Sequence, residues 1–151
     1  MTLLQFVFLP LIWVLALIGK NLYEIRQRKR IQYIEDLSTL HRREFELYIA
    51  SRLKQKGRKH VQVGKGTADG GRDIRATSNG VPHLFQCKCY KPQVSIGVKT
   101  VRELYGVLMA TEQHGVGVIC TTGRFSKEAK KFANENGIKL WGWIILEQSL
   151  I

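Results

Sequence analysis

Acidic residues are scarce in this sequence. Twelve Asp and Glu stand against 24 Lys and Arg, a formal net charge of +12 over 151 residues. That balance favours polyanions, either nucleic acid or an anionic membrane surface. Cysteine is also sparse and odd in number: Cys87, Cys89 and Cys120 lie in apolar, strand-like runs and fit reduced core residues rather than a disulfide framework. Cys87 and Cys89 have no second Cys or His pair at ligand spacing, which argues against a zinc site. The histidines, His41, His60, His83 and His114, are scattered and form no constellation. Internal repeats and low-complexity segments are absent, and the length suits one domain with a real core.

Charge of either sign is missing from residues 3–19, LLQFVFLPLIWVLALIG, where Gln5 alone is strongly polar. As a helix this run spans about 25 Å, the short end for a bilayer core, and Pro10 is tolerable in such a helix. It has neither the basic flank nor the small-residue cleavage site of a signal peptide. The polar stripe of a buried core helix is missing as well. Residues 1–19 are therefore expected to form one transmembrane helix in contact with membrane lipid. Lys20, Arg26, Arg28, Lys29 and Arg30 follow directly. They predict a single pass through the cytoplasmic membrane, with the C-terminal body in the cytoplasm. Residues 20–37 read as a basic juxtamembrane stalk near anionic headgroups.

Residues 38–151 read as one domain. A helix opens near Ser38 or Thr39, either of which can cap it, and ends before Gly57, with Phe45, Ile49 and Leu53 as its buried stripe. At about 100° per residue, Glu46 lies roughly 60° from the centre of that stripe and Glu44 roughly 140°. Glu46 can therefore look inward, while Glu44 is solvated. Strands are expected at 59–63, 72–77 and 82–90, the last two joined by a Ser78-Asn79-Gly80 turn. A helix follows over 98–113, with Val98, Val101, Leu104, Tyr105 and Leu108 facing inward. A buried strand comes next at 115–121, and then a helix over 127–136 capped by Ser126 and ended by Gly137. The last strand spans 138–143, with a terminal turn at 146–150. The order α-β-β-β-α-β-α-β calls for an α/β domain with a mixed sheet flanked by helices.

The stretch from Gly70 to Lys88, GGRDIRATSNGVPHLFQCK, concentrates the chemistry. Alternation along a strand puts Gln86 and Lys88 on one face and Phe85, Cys87 and Cys89 on the other. Phosphodiester hydrolysis needs a metal-activated water, neutralisation of the charge developing on phosphorus and an orienting group for the nucleophile. Asp73 is a hard-oxygen ligand of the kind Mg2+ prefers, and Gln86 and the Cys87 backbone carbonyl can add further oxygens. Lys88 can orient the water or help deprotonate it, and it can counter the transition-state charge. Glu46 can reach the same ion directly or through water. Gly70 and Gly71 let the backbone approach a phosphate. Arg72, Arg75, Lys91 and Lys99 are candidate contacts to DNA phosphates. Trp141 and Trp143 read as packing residues more than as a stacking platform. Thr121, Thr122 and Gly123, beside a helix N-terminus, fit either a phosphate site or a simple turn.

Residues 44–150 resemble the Mrr-type endonuclease domain, a branch of the PD-(D/E)xK restriction-endonuclease-like superfamily. The matching stretches are EFELYIASRLKQKG, TADGGRDIRA, LFQCKCY, VKTVRELYGVL and VICTTGRFSKEAKKFANENGIKLW, in the family's order and spacing. The resemblance implies a restriction-endonuclease-like mixed sheet, Mg2+-dependent cleavage of DNA with Mn2+ able to substitute, and frequent homodimerisation. Residue by residue, the family's helical Glu falls on Glu46, its metal-binding Asp on Asp73, and its Q-x-K pair on Gln86 and Lys88. The pattern is intact. Mrr-type enzymes that read modified DNA carry a separate recognition domain, which this chain is expected to lack. The expectation is thus a membrane-anchored Mg2+-dependent endonuclease. A non-catalytic DNA-binding or tethering module is the rival, and an adaptor that uses its basic stalk only for lipid is a more distant one.

Overall fold

A computed structural model describes residues 13–23, 25, 36–64, 72–112 and 114–142. The chain divides into two units, Met1–Ile34 and Glu35–Ile151. In the first, residues 13–23 are helical (α1), and Trp13, Leu17, Ile18, Leu22 and Tyr23 are all exposed. The expected membrane span over 1–19 falls partly on residues 1–12, outside the described residues, as does most of the expected basic stalk. Among the described residues, no helix is long and apolar enough to cross a membrane.

The second unit is a mixed sheet with helices on both faces. Its elements run α2 (Arg42–Gln55), β1 (Lys59–Val63), β2 (Ile74–Ser78), β3 (Val81–Lys88), β4 (Ser95–Ile96), α3 (Val98–Thr111), β5 (Val116–Thr121), β6 (Arg124–Phe125), α4 (Lys127–Glu135) and β7 (Lys139–Trp141). The main sheet has the order β1-β2-β3-β5-β7. The β1–β2 and β2–β3 pairs are antiparallel, and β3–β5 and β5–β7 are parallel. Short β4 and β6 form a separate parallel pair.

Period-2 alternation sorts the two faces. Ile74, Ala76, Phe85, Cys87, Val118 and Cys120 meet Phe45, Ile49 and Leu53 of α2. Leu84 and Ile119 meet Val101, Leu104 and Leu108 of α3, together with Ala129 and Ala133 of α4. Each fully buried Phe, Ile or Leu side chain contributes about 2 kcal/mol. Tyr105 and Phe132 join α3 to α4 edge to face, with ring centres 5.8 Å apart. Gly123 is required by close approach, because a Cβ there would come within 2.5 Å of the Val94 carbonyl oxygen. Trp141 packs edge-on against Phe85 at 5.5 Å, the packing role expected for it, while Trp143 lies outside the described residues.

Three local expectations need correction. Helix α2 starts at Arg42, not after Ser38 or Thr39. Thr39 instead donates its hydroxyl to the Asp36 carbonyl at 2.7 Å, closing a separate turn. Glu44 accepts from the backbone N–H of His41 at 2.8 Å, a capping contact at the true start. The hairpin loop is Asn79-Gly80 alone, with Ser78 paired to Val81. Both loop residues have positive φ, 50° and 79°, as a type I′ turn requires, and that turn matches the strand twist. Strands β4 and β6 were not expected at all, because two residues carry no readable period.

Candidate active site

The site forms where β2 begins and β3 runs past it. The last β2–β3 pair is Ile74 with Phe85. One residue earlier, Asp73 donates its N–H to the Phe85 carbonyl at 3.0 Å and accepts at its own carbonyl from Gly64 N–H at 2.9 Å. Its backbone is thus held between the end of β1 and the middle of β3. Beyond that pair, the Cys87 N–H meets the Asp73 carboxylate in place of a strand partner, at 2.6 Å to Oδ2. A charged acceptor makes this a strong hydrogen bond.

Helix α2 supplies the second carboxylate. Glu46 is 6% exposed and Asp73 5%, so the placement of Glu46 on the inward side of the helix holds. One guanidinium bridges the two acids. Arg42 donates from Nη2 to Asp73 Oδ1 at 2.8 Å and from Nε to Glu46 Oε1 at 3.0 Å. Arg43 donates to Glu46 Oε2 at 3.1 Å and to the Gly64 carbonyl at 2.6 Å. All four carboxylate oxygens therefore hold an N–H donor. The Arg42 guanidinium is raised above its ordinary pKa, first by its hydrogen bond to Asp73 and then by that to Glu46. Sequence reasoning missed both arginines. Their i,i+4 and i,i+3 spacing to Glu46 on one helix was the available signal.

Gln86 and Lys88 sit on β3, opposite Ile119 and Thr121 of β5. Gln86 is buried, and its Oε1 has no hydrogen-bond partner among the described residues. A buried, unsatisfied amide oxygen is costly unless something else uses it. Lys88 is half-buried, and its carbonyl accepts from the Thr121 hydroxyl at 2.7 Å. The Thr122 hydroxyl donates to the Tyr90 carbonyl at 2.6 Å and accepts from Tyr90 N–H at 2.9 Å. Thr121 and Thr122 therefore fasten the end of β3 to β5, and their hydroxyls are committed within the protein.

No group of three or more His, Cys, Asp or Glu side chains that could hold a metal ion occurs among the described residues. The hard-oxygen donors present are the Asp73 and Glu46 carboxylates, joined by Arg42, and the orphaned amide oxygen of Gln86 on β3. That hard-oxygen set is the chemistry of Mg2+ rather than of zinc. The three cysteines are free. Cys87 is pushed well up by its hydrogen bond to Cys120 and by burial, so its thiol stays protonated and out of reaction chemistry. Among the expected phosphate contacts, Arg75 pairs with Glu112 and neutralises one of the protein's own acids. Lys91 and Lys99 are exposed, and Arg72 is half-buried. His83 is buried and stacked on Phe85, and His60 is exposed on β1.

The restriction endonuclease family defined by the Mrr catalytic domain matches residues 37–147. This chain belongs to that family. An uncharacterized protein of Archaeoglobus fulgidus is 37% identical to this Mrr-family chain over 73 residues, 47% of this chain and 42% of the relative. The chain thus spans under half the length of that relative. Among solved structures, a protein of unknown function superposes with a TM-score of 0.61 at 26% identity, over 72% of this chain and 67% of its own. The restriction endonuclease MspJI, in complex with a 27-mer oligonucleotide, superposes with a TM-score of 0.57 at 23% identity, over 76% of this chain and 29% of its own. AspBHI, a DNA modification-dependent restriction endonuclease, gives 0.59 at 18% identity, over 82% and 35%. At those identities the last two establish the restriction-endonuclease-like fold of this Mrr-family chain.

Proposed function

We propose that this chain is a Mg2+-dependent deoxyribonuclease that hydrolyses phosphodiester bonds within DNA and is held at the cytoplasmic face of a membrane by residues 1–19. The observation that carries the reading is the buried Gln86 Oε1, unpartnered among the described residues. It sits one residue before the Cys87 N–H that binds Asp73. A module that only tethered DNA would have no use for a buried amide oxygen left unsatisfied. Family membership supports nuclease chemistry. The net charge of +12 and the oligonucleotide held by the similar MspJI support DNA as the substrate.

In this mechanism Asp73, Gln86, the Cys87 carbonyl and Glu46 are the residues that would hold the ion. The bound dication supplies Lewis-acid polarisation of the scissile phosphate and a more acidic water. The chain's own residues do the rest. The Cys87 N–H fixes the rotamer of Asp73. Thr121 fixes the backbone of Lys88, whose ammonium orients the attacking water and offsets negative charge on the phosphoryl oxygens. Lys91 and Lys99 steer the backbone of the duplex without reading its sequence.

The test uses the full-length protein in mild detergent, incubated with plasmid DNA in Mg2+ or in EDTA. Cleavage is expected only with Mg2+, and Asp73→Ala and Lys88→Ala should each reduce it by at least about a hundredfold, the scale for losing one positioned group. Equal cutting by wild type and both variants, or no cutting with any divalent ion, would sink the assignment.

A further inference from the structure

The arginine bridge sets a condition on cation binding that the donor set alone does not. Asp73 Oδ1 and Glu46 Oε1 are the two carboxylate oxygens facing a shared point, and Arg42 spans them at 2.8 and 3.0 Å. The remaining oxygens are held by the Cys87 N–H and by Arg43, which also grips the Gly64 carbonyl. A guanidinium and a dication cannot use the same lone pairs, and at hydrogen-bond range they repel. Arg42 differs from the two acids it joins in one respect. Its side chain is 57% exposed, while the acids it joins are 5% and 8% exposed. Its long stem reaches solvent, so the one group that spans both acids can leave them without disturbing the core.

We propose that Arg42 is a built-in competitor for the divalent ion. It clamps Asp73 and Glu46 together until a cation displaces it, and so sets the affinity of the site for metal. This rests on the nuclease reading given above, since it concerns the same carboxylates. The clamp offsets the repulsion between two buried acids. Arg43 keeps its hold on Glu46 through Oε2 when Arg42 leaves, so the helix end stays attached to the Gly64 carbonyl.

The experiment is a calorimetric titration of the full-length protein with Mn2+ as the probe, beside thermal unfolding in EDTA. Arg42→Met, which keeps most of the stem and removes the charge, should bind Mn2+ about tenfold more tightly than wild type, or about 1.4 kcal/mol. In EDTA it should melt at a lower temperature than wild type, and Mn2+ should recover that loss. Arg42→Lys presents one point charge that cannot span both acids. It should fall between the two, and it carries the test if the Met variant does not fold. Asp73→Ala should abolish binding in the same titration. Equal or weaker Mn2+ binding by folded Arg42 variants, with Asp73→Ala still null, overturns the competitor role and leaves the nuclease reading intact. Absence of Mn2+ binding from every protein in the set overturns both.

Discussion

Gln86 is where stability and chemistry are set against each other within one side chain. Its amide oxygen is buried without a partner among the described residues, an arrangement that costs about 1–3 kcal/mol. A methionine has nearly the same length and shape and asks for no hydrogen bond. Gln86→Met is therefore expected to raise the stability of the metal-free protein by about 1 kcal/mol in urea unfolding while lowering plasmid cleavage at least about tenfold. A destabilised variant would mean that the oxygen is satisfied in the native state, and unchanged cleavage would remove Gln86 from the ion site. The burial of Glu46 and the shared face of Gln86 and Lys88 were legible from helical and strand periods. Asp73 was chosen for its carboxylate, and the resemblance to the family's pattern joined the four into one set. Arg42 and Arg43 were not legible, although they stand beside Glu46 in the chain. What gives Arg42 its place is the packing of α2 against the start of β2, which brings Asp73 within 2.8 Å of it. That contact is 31 residues apart in sequence, and no local pattern encodes it.

Helix α2 delivers Glu46, Arg42 and Arg43 from one side, and its hold on the sheet is what gives the site its dimensions. Ile49 is fully buried on that side among Ile74, Phe85 and Val118, whereas Leu47, two residues earlier, is 50% exposed. Ile49→Ala should destabilise the protein by about 2–5 kcal/mol through lost burial and a residual cavity. Leu47→Ala should stay within about 0.5 kcal/mol. Both are read by urea unfolding of the full chain in EDTA. Comparable losses at the two positions would mean that α2 does not present the face described for it. Long elements with a clear period were the legible ones: α2, α3, α4, β3 and β5 were all foreseen. The start of α2 was misplaced because Ser38 and Thr39 are good caps by type, yet Thr39 spends its hydroxyl on Asp36. The β4–β6 pair could not be foreseen, since its order comes from neighbours: the Arg124 N–H donates to Val94 and the Ser126 N–H to Ile96.

At the scale of the whole molecule, two kinds of surface call for two kinds of partner. The folded unit carries the site and suits a polyanion. Residues 13–23 form a helix on which Trp13 is 68% exposed, Leu17 61% and Tyr23 63%. A large apolar area of that kind needs a covering other than water, and the charge-free run that precedes it continues the same character. On the proposed reading, a bilayer with anionic headgroups would cover the apolar helix and attract Lys20 within it and Arg26, Arg28, Lys29 and Arg30 after it. Two modes of attachment separate cleanly by salt. Attraction between basic residues and headgroups is screened within about 3 Å at 1 M ionic strength, whereas burial of apolar side chains in acyl chains is not weakened by salt. The full-length protein is therefore expected to stay in the membrane pellet through a 1 M salt wash, and deletion of residues 1–19 should move it to the supernatant. Release of the intact chain by salt would reduce the attachment to electrostatics. A deletion variant that still pellets would place the membrane contact elsewhere, and the cytoplasmic orientation argued from the basic cluster would fall with it.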